Sequence, residues 1–336
     1  MIRIALPVKL GILLLFVSGI IASVDTPGRN SAAARVTQNG SANCLVVWEG
    51  KQQFLLGANV PWQNNGYGAD FATVEGWNFH TYDHNLTEEM YQSLSSNGVN
   101  ALRWLVFADG RGAPEFDANG AVTGLDSQIL PGMEDAIKLA AEYQINLIFT
   151  LWDFQMLFDE RFDNGVQLGG RRDVIVDTEV RQSFIDNALL PMLQYPVDGS
   201  EYTIGTHPNV MAWDIINEPE WGIMQSLSVD SSISQPVTLE QMQIFVAQVA
   251  STIHQNSNQL VTLGSASMKW NSDSALGAVG NWWADQNLIP YASDGYLDFY
   301  SPHYYGWMNG ETTTWSYSPL FNDFQEAGFD KPTVIG

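Results

Sequence analysis

Seven short apolar runs punctuate the chain from Phe54 onward: FLLGANV at 54–60, GVNALRWLVF at 98–107, INLIFTLWDF at 145–154, NVMAWDIINEP at 209–219, QLVTLGS at 259–265, LDFYSPHYYG at 297–306 and TVIG at 333–336. Their interiors are almost continuous in Val, Ile, Leu and Phe, the pattern of strands covered on both faces. Between them, 86–98, 130–144 and 239–255 repeat apolar residues at spacings of three and four, which predicts amphipathic helices. Asn85 and Glu88 are placed as a capping box for the first helix, with Gly98 as its stop. Strands that alternate with helices build parallel βαβ units.

Two architectures fit that alternation, an open doubly wound sheet and a closed (β/α)₈ TIM barrel. The nucleotide-binding open sheet carries a glycine-rich turn after its first strand; here that turn reads ANVPWQNNGYG and lacks G-x-G-x-x-G. Polar and aromatic residues instead close run after run: Asn59, Trp62, Arg103, Trp152, Asp153, Asn217, Glu218, His303 and Tyr305. Functional side chains at the carboxyl ends of many strands are the habit of the barrel. An α/β TIM barrel is therefore the expected fold, as one catalytic domain over 44–336 with no internal repeat beyond the alternation.

The N-terminus adds a destination. Arg3 and Lys9 precede the apolar run LGILLLFVSGIIA at 10–22, so 1–22 reads as a secretory signal peptide and the protein as secreted. The run is short for a membrane span, which leaves an uncleaved anchor as the alternative. Residues 23–43 are small and polar and read as a flexible linker.

Charge narrows the partners. The formal net charge is −23, with only 14 Lys and Arg, and such a surface repels phosphate backbones and anionic lipid. Neither nucleic acid nor a membrane partner is expected. The single cysteine, Cys44, allows no internal disulfide and no Cys-based metal site. His80 and His84 would share a helix face in HTYDH, but the segment reads as a polar loop, so no metal is expected. The 12 Trp, 12 Tyr and 16 Phe fit a large core or flat walls for a sugar ring.

Candidate chemistry gathers in the fourth run. Asn217 and Glu218 stand between apolar strand residues and Pro219, at a rim between interior and cleft. Burial there raises a carboxyl pKa and lets it deliver a proton. Arg103, inside ALRWLVF, must face a carboxylate or the cleft. His303 and Tyr305 are two apart and project to one side of their strand. Asp153, Asp214 and Glu220 read as loop carboxylates or partners of arginine.

GTHPNVMAWDIINEP, INEPE, HYYG and KPTVIG, with Arg103 in the second run, resemble the clan A glycoside hydrolases, most closely family 5, the cellulase and endo-mannanase group. NLIFTLWDF and ALRWLVFADG look more like endo-β-1,4-mannanases than typical cellulases. The resemblance implies a retaining β-glycosidase acting on a β-1,4-polysaccharide or oligosaccharide, without cofactor, and a monomer is expected. It implies Glu218 as acid/base and Asn217 as a contact to the sugar 2-hydroxyl. Arg103, His303 and Tyr305 would support the nucleophile and the sugar at the cleaved bond. Trp62, Trp152, Trp221 and Trp307 are the expected stacking platforms. In that family the nucleophilic Glu directly follows the KPTVIG motif, where this sequence ends at Gly336. A C-terminally incomplete barrel of about seven strands, inactive and poorly soluble by itself, is the expectation. A non-catalytic carbohydrate-binding barrel, which needs no nucleophile, is the competing reading. A nucleotide-dependent α/β enzyme is disfavoured by the missing phosphate loop and the acidic charge.

Overall fold

The computed structural model describes residues 35–39, 43–48, 51–53, 55–63, 69–73, 82–274, 278–305 and 328–336. The apolar run 10–22, His80 and Trp307 lie outside the described residues.

Six strands form one parallel sheet: β1 (Gly57–Val60), β2 (Ala101–Ala108), β3 (Asn146–Asp153), β4 (Val210–Asn217), β5 (Leu260–Ser265) and β6 (Ser301–Pro302). Each pairs with its neighbour in chain order, all parallel. An order that never reverses is that of a barrel wall, whereas a doubly wound sheet reverses at its switch point. The TVIG run continues the wall. Thr333 bridges Tyr300 in parallel, Val334 donates to the Tyr300 carbonyl at 2.8 Å, and Gly336 donates to the Pro302 carbonyl at 3.0 Å.

Side-chain parity then separates packing from chemistry. On β2, Trp104 points outward, with its ring 4.7 Å from Phe71 and 6.5 Å from Tyr91 of helix α1 (His84–Ser96). On β3 and β4, Phe149 and Trp213 pack together at 5.6 Å. The intervening positions Arg103, Thr150 and Asp214 turn inward and meet one another. A residue type that would be costly between sheet and helices is thus placed where the barrel interior supplies its partners.

Helices α2 (Ile129–Tyr143) and α3 (Leu239–Asn256) match the predicted segments, and α3 opens on a capping box between Thr238 and Gln241. The start of α1 differs from the expectation. Its N-cap is Asp83, whose side chain accepts from the Leu86 amide at 3.0 Å, so Asn85 and Glu88 fall inside the helix. Both Asp and Asn are good caps, and the earlier one won. His84, in the first turn, pairs with Asp135 at 2.7 Å. Strands Arg35–Asn39, Asn43–Trp48 and Lys51–Gln53 form a small antiparallel sheet. Among the described residues, backbone pairing begins at Arg35, within the stretch read as linker and before Cys44.

Candidate active site

The floor of the site is Asp214, fully buried on β4. Arg103 donates to its Oδ2 through Nε at 2.8 Å and Nη2 at 2.5 Å, and Thr150 donates to the same oxygen at 3.0 Å. The Gly264 amide donates to Oδ1 at 2.9 Å. The pairing of β4 with β5 shifts between Asp214 and Asn217. That irregularity breaks the two-residue alternation and brings Asn217, three residues on, to the side that Asp214 faces. Arg103 Nη2 also donates to Asn217 Oδ1 at 2.8 Å, and Asn217 Nδ2 donates to Asp153 Oδ2 at 2.7 Å. The Gln155 amide holds the other Asp153 oxygen at 2.9 Å. The order Asp214, Arg103, Asn217, Asp153 fixes the amide of Asn217 in one orientation.

Glu218 follows in a left-handed backbone conformation, φ 50° and ψ 46°. A non-glycine residue there carries strain of roughly 1–3 kcal/mol. The bond from its amide to the Gly264 carbonyl, 2.5 Å, pins the turn. The bend aims the side chain across the mouth of the barrel. His303 Nδ1–H donates to Oε1 at 2.7 Å, Trp221 Nε1–H donates to Oε2 at 2.8 Å, and the Tyr305 hydroxyl lies 3.4 Å from Oε1.

The electrostatics correct one expectation. Burial does push the Glu218 carboxyl up, but the hydrogen bond and charge of His303, the Trp221 donor and the Arg103 guanidinium outweigh it. Glu218 therefore lies below the usual range of a glutamate in this state, not above it. Asp153 behaves in the opposite way: burial drives it up to about 7 against its two donors, and the charge of Glu218 adds to the rise. Tyr305 is pushed up to about 12, first by burial and then by Glu218, so it faces the site as a neutral phenol.

The structure brings Arg103, Asn217, Glu218, His303 and Tyr305 together. It sorts the tryptophans differently from the sequence reading. Trp62 follows the end of β1 and is exposed. Trp221 is half-buried and serves Glu218 as a hydrogen-bond donor. Trp152 is a correction: it is fully buried, 5.2 Å from Phe107 and 5.4 Å from Phe184, and offers no face for stacking.

Two carboxylates read as ordinary loop groups have other roles. Asp153 orients Asn217, as described. Glu220 is fully buried and accepts from Ser265 Oγ at 2.7 Å, the Ala266 amide at 2.9 Å and Trp283 Nε1 at 2.8 Å. It ties the turn that carries Glu218 to the end of β5, while burial lifts it to about 7. Glu220→Ala would strand two buried donors with no alternative acceptor. The expected loss is about 2–5 kcal/mol in urea unfolding; a loss below about 1 kcal/mol would contradict this role.

A hydrogen-bonded glutamate at the carboxyl end of the fourth strand of a parallel wall is an arrangement that suits a glycosidase, an enzyme that hydrolyses O-glycosyl bonds, and the relatives place the chain in that class. The relatives narrow the class. A mannan endo-1,4-beta-mannosidase of Mytilus edulis is 30% identical over 324 residues, covering 90% of this chain and 79% of the mussel protein. One from Cryptopygus antarcticus is 26% identical over 308 residues, covering 85% and 73%. The solved beta-mannanase of Mytilus edulis superposes with a TM-score of 0.72 at 27% identity, covering 91% of this chain and 82% of that one. The endo-1,4-beta-mannanase of Eisenia fetida gives 0.70 at 27%, covering 90% and 80%. No protein-family model matches the chain. The chain belongs to the mannan endo-1,4-beta-mannosidase family.

Proposed function

We propose that this protein cleaves β-1,4 linkages within mannan, with retention of configuration and Glu218 as the acid/base. The observation that carries the reading is the set of contacts on Glu218, with His303 on one carboxyl oxygen and Trp221 on the other. They hold the carboxyl at a strand end in the family of mannan hydrolases. In the first step Glu218 gives its proton to the leaving glycosidic oxygen; in the second it takes a proton from the water that attacks. Asn217, held by Arg103 and Asp153, keeps its second Nδ2 hydrogen for the 2-hydroxyl of the sugar.

Retention needs a second carboxylate about 5–5.5 Å from the first. Gly336 abuts His303, which in turn holds Glu218. A carboxylate beside His303 would oppose its downward pull on Glu218 and help Glu218 keep its proton.

Purified enzyme is expected to release reducing ends from β-1,4-mannan at least about tenfold faster than from soluble cellulose, given how sharply buried polar contacts reject a wrong hydroxyl. Binding to mannan without hydrolysis would favour a carbohydrate-binding barrel instead. Export is proposed on the same footing, from the apolar run 10–22. Recovery of the protein from the medium, with an N-terminus near residue 23, would bear it out; retention in the cell membrane would favour an anchor.

The pH profile offers a separate check. Glu218, held below the usual carboxylate range, is already ionised when Asp153 titrates, and its charge helps lift Asp153 to about 7. Asp153→Asn removes that titration and leaves Asn217 facing an amide in place of the carboxylate. A dependence of kcat/KM on a group titrating near pH 7 is expected in the parent enzyme and lost in the variant. An inflection near pH 7 that persists in Asp153→Asn would contradict the assignment.

A further inference from the structure

A polar cavity of about 490 Å³ opens among the segments that follow β2 and β3, within the size range of small-molecule pockets. Its lining comes from the segments leaving β2 (Gly110–Phe116, with Asp117 and Thr123) and β3 (Gln167 and Arg171), the same end of the barrel that carries Glu218.

Arg171 is the unusual group in it. Neighbouring Arg111 is held by Asp109 through two bonds of 2.9 Å. Arg171 has no ion-pair partner among the described residues. Its guanidinium lies 3.8 Å from the centre of the Phe116 ring, its Nη2 makes one long contact of 3.5 Å to the Gly110 carbonyl, and its Nε–H has no acceptor. Burial without a partner depresses its pKa to about 10. A largely desolvated cation short of acceptors is costly unless something supplies oxygen atoms. Gly110 keeps the guanidinium in place: a Cβ there would stand 3.0 Å from Arg171 Cγ and 3.3 Å from the Trp152 ring.

The rest of the lining decides what kind of oxygen. Glu115 and Asp117 border the same cavity as acceptors, while Gln167 and Thr123 both donate and accept. An anion suited to Arg171 would meet two carboxylates. A ligand rich in hydroxyls offers acceptors to Arg171 and donors to Glu115 and Gln167 at once. We propose that this cavity is a distal subsite for a neutral hexosyl unit of the polysaccharide, remote from the bond that is cleaved. The proposal rests on the mannan-hydrolase reading and names a further contact for its substrate.

The test is calorimetric titration of mannohexaose and mannotriose into the Glu218→Gln protein, with and without Arg171→Met, and with Gln167→Ala as a second, milder variant. Either second substitution is expected to weaken mannohexaose about five- to tenfold and mannotriose less than twofold. Equal weakening of both ligands would overturn the subsite, since the change would then act at the cleavage centre or on the fold. No weakening of mannohexaose by either variant would overturn it too, with the mannan reading intact. Tighter binding of a uronate-bearing oligosaccharide than of mannohexaose would overturn its neutral character. If the Glu218→Gln protein bound no mannohexaose at all, both readings would fail together.

Discussion

Glu218→Gln is expected to lower kcat on mannan by roughly 10²–10⁴-fold while leaving polymer binding nearly unchanged. The amide keeps the size of the side chain and an oxygen for Trp221, whose Nε1–H donates at 2.8 Å. It has no proton to give to a departing sugar oxygen. The loss should therefore depend on the leaving group. An aryl glycoside with a strongly acidic phenol leaves without protonation, so formation of the glycosyl-enzyme from it should be largely spared. Steady-state kinetics on mannan and on a dinitrophenyl glycoside compare the two. An equal loss on both substrates would remove Glu218 from the proton-donor role.

Asp214→Ala is the expected structural counterpart. Asp214 is fully buried and receives Arg103, Thr150 and the Gly264 amide. Removing it leaves the charged Arg103 guanidinium without the carboxylate it is bonded to. The expected loss is about 3–5 kcal/mol, the scale for breaking a buried ion pair from one side. Arg103 also holds Asn217, so activity should fall even in the folded fraction. Adding Arg103→Met should restore part of the stability but none of the activity, because the orphaned charge disappears while Asn217 stays unsupported. Urea unfolding of the single and double variants gives both numbers. A double variant no more stable than the single one would contradict the account of the pair.

The barrel was legible because its strands are buried on both faces. Runs such as ALRWLVF and NLIFTLWD leave few alternatives once helical spacing follows them, and the observed strands lie inside those runs. Arg103 was legible for the same reason: a guanidinium in such a run has to find a carboxylate, and Asp214 is that group. Trp152 shows the limit of the argument. Its place at a strand end suggested an open face, but Phe107 and Phe184 close over it, and those contacts come from segments distant in sequence.

The acid/base was identified by its neighbours Asn217 and Pro219, and its backbone geometry was not. The left-handed turn at Glu218 depends on a bond to the Gly264 carbonyl and on an irregular register with β5, both long-range. Burial by itself would raise the Glu218 pKa, and the main opposing group, His303, comes from 85 residues away in the chain. Asp153 reads from sequence as a loop carboxylate. The signal available was its place at the end of an apolar run, one position past Trp152, where an unpaired carboxylate needs a partner; that partner, Asn217, sits opposite it in the pairing of β3 with β4.

Azide rescue of Glu218→Ala distinguishes an acid/base from a nucleophile at this position. With the acid/base removed, a dinitrophenyl glycoside still forms the glycosyl-enzyme, and the small anion occupies the space left by the carboxylate. Attack from that side gives a β-glycosyl azide, whose anomeric configuration is read by NMR. Faster turnover with azide and a β-configured product are expected. An α-configured azide would mark Glu218 as the nucleophile and contradict its assignment as the acid/base.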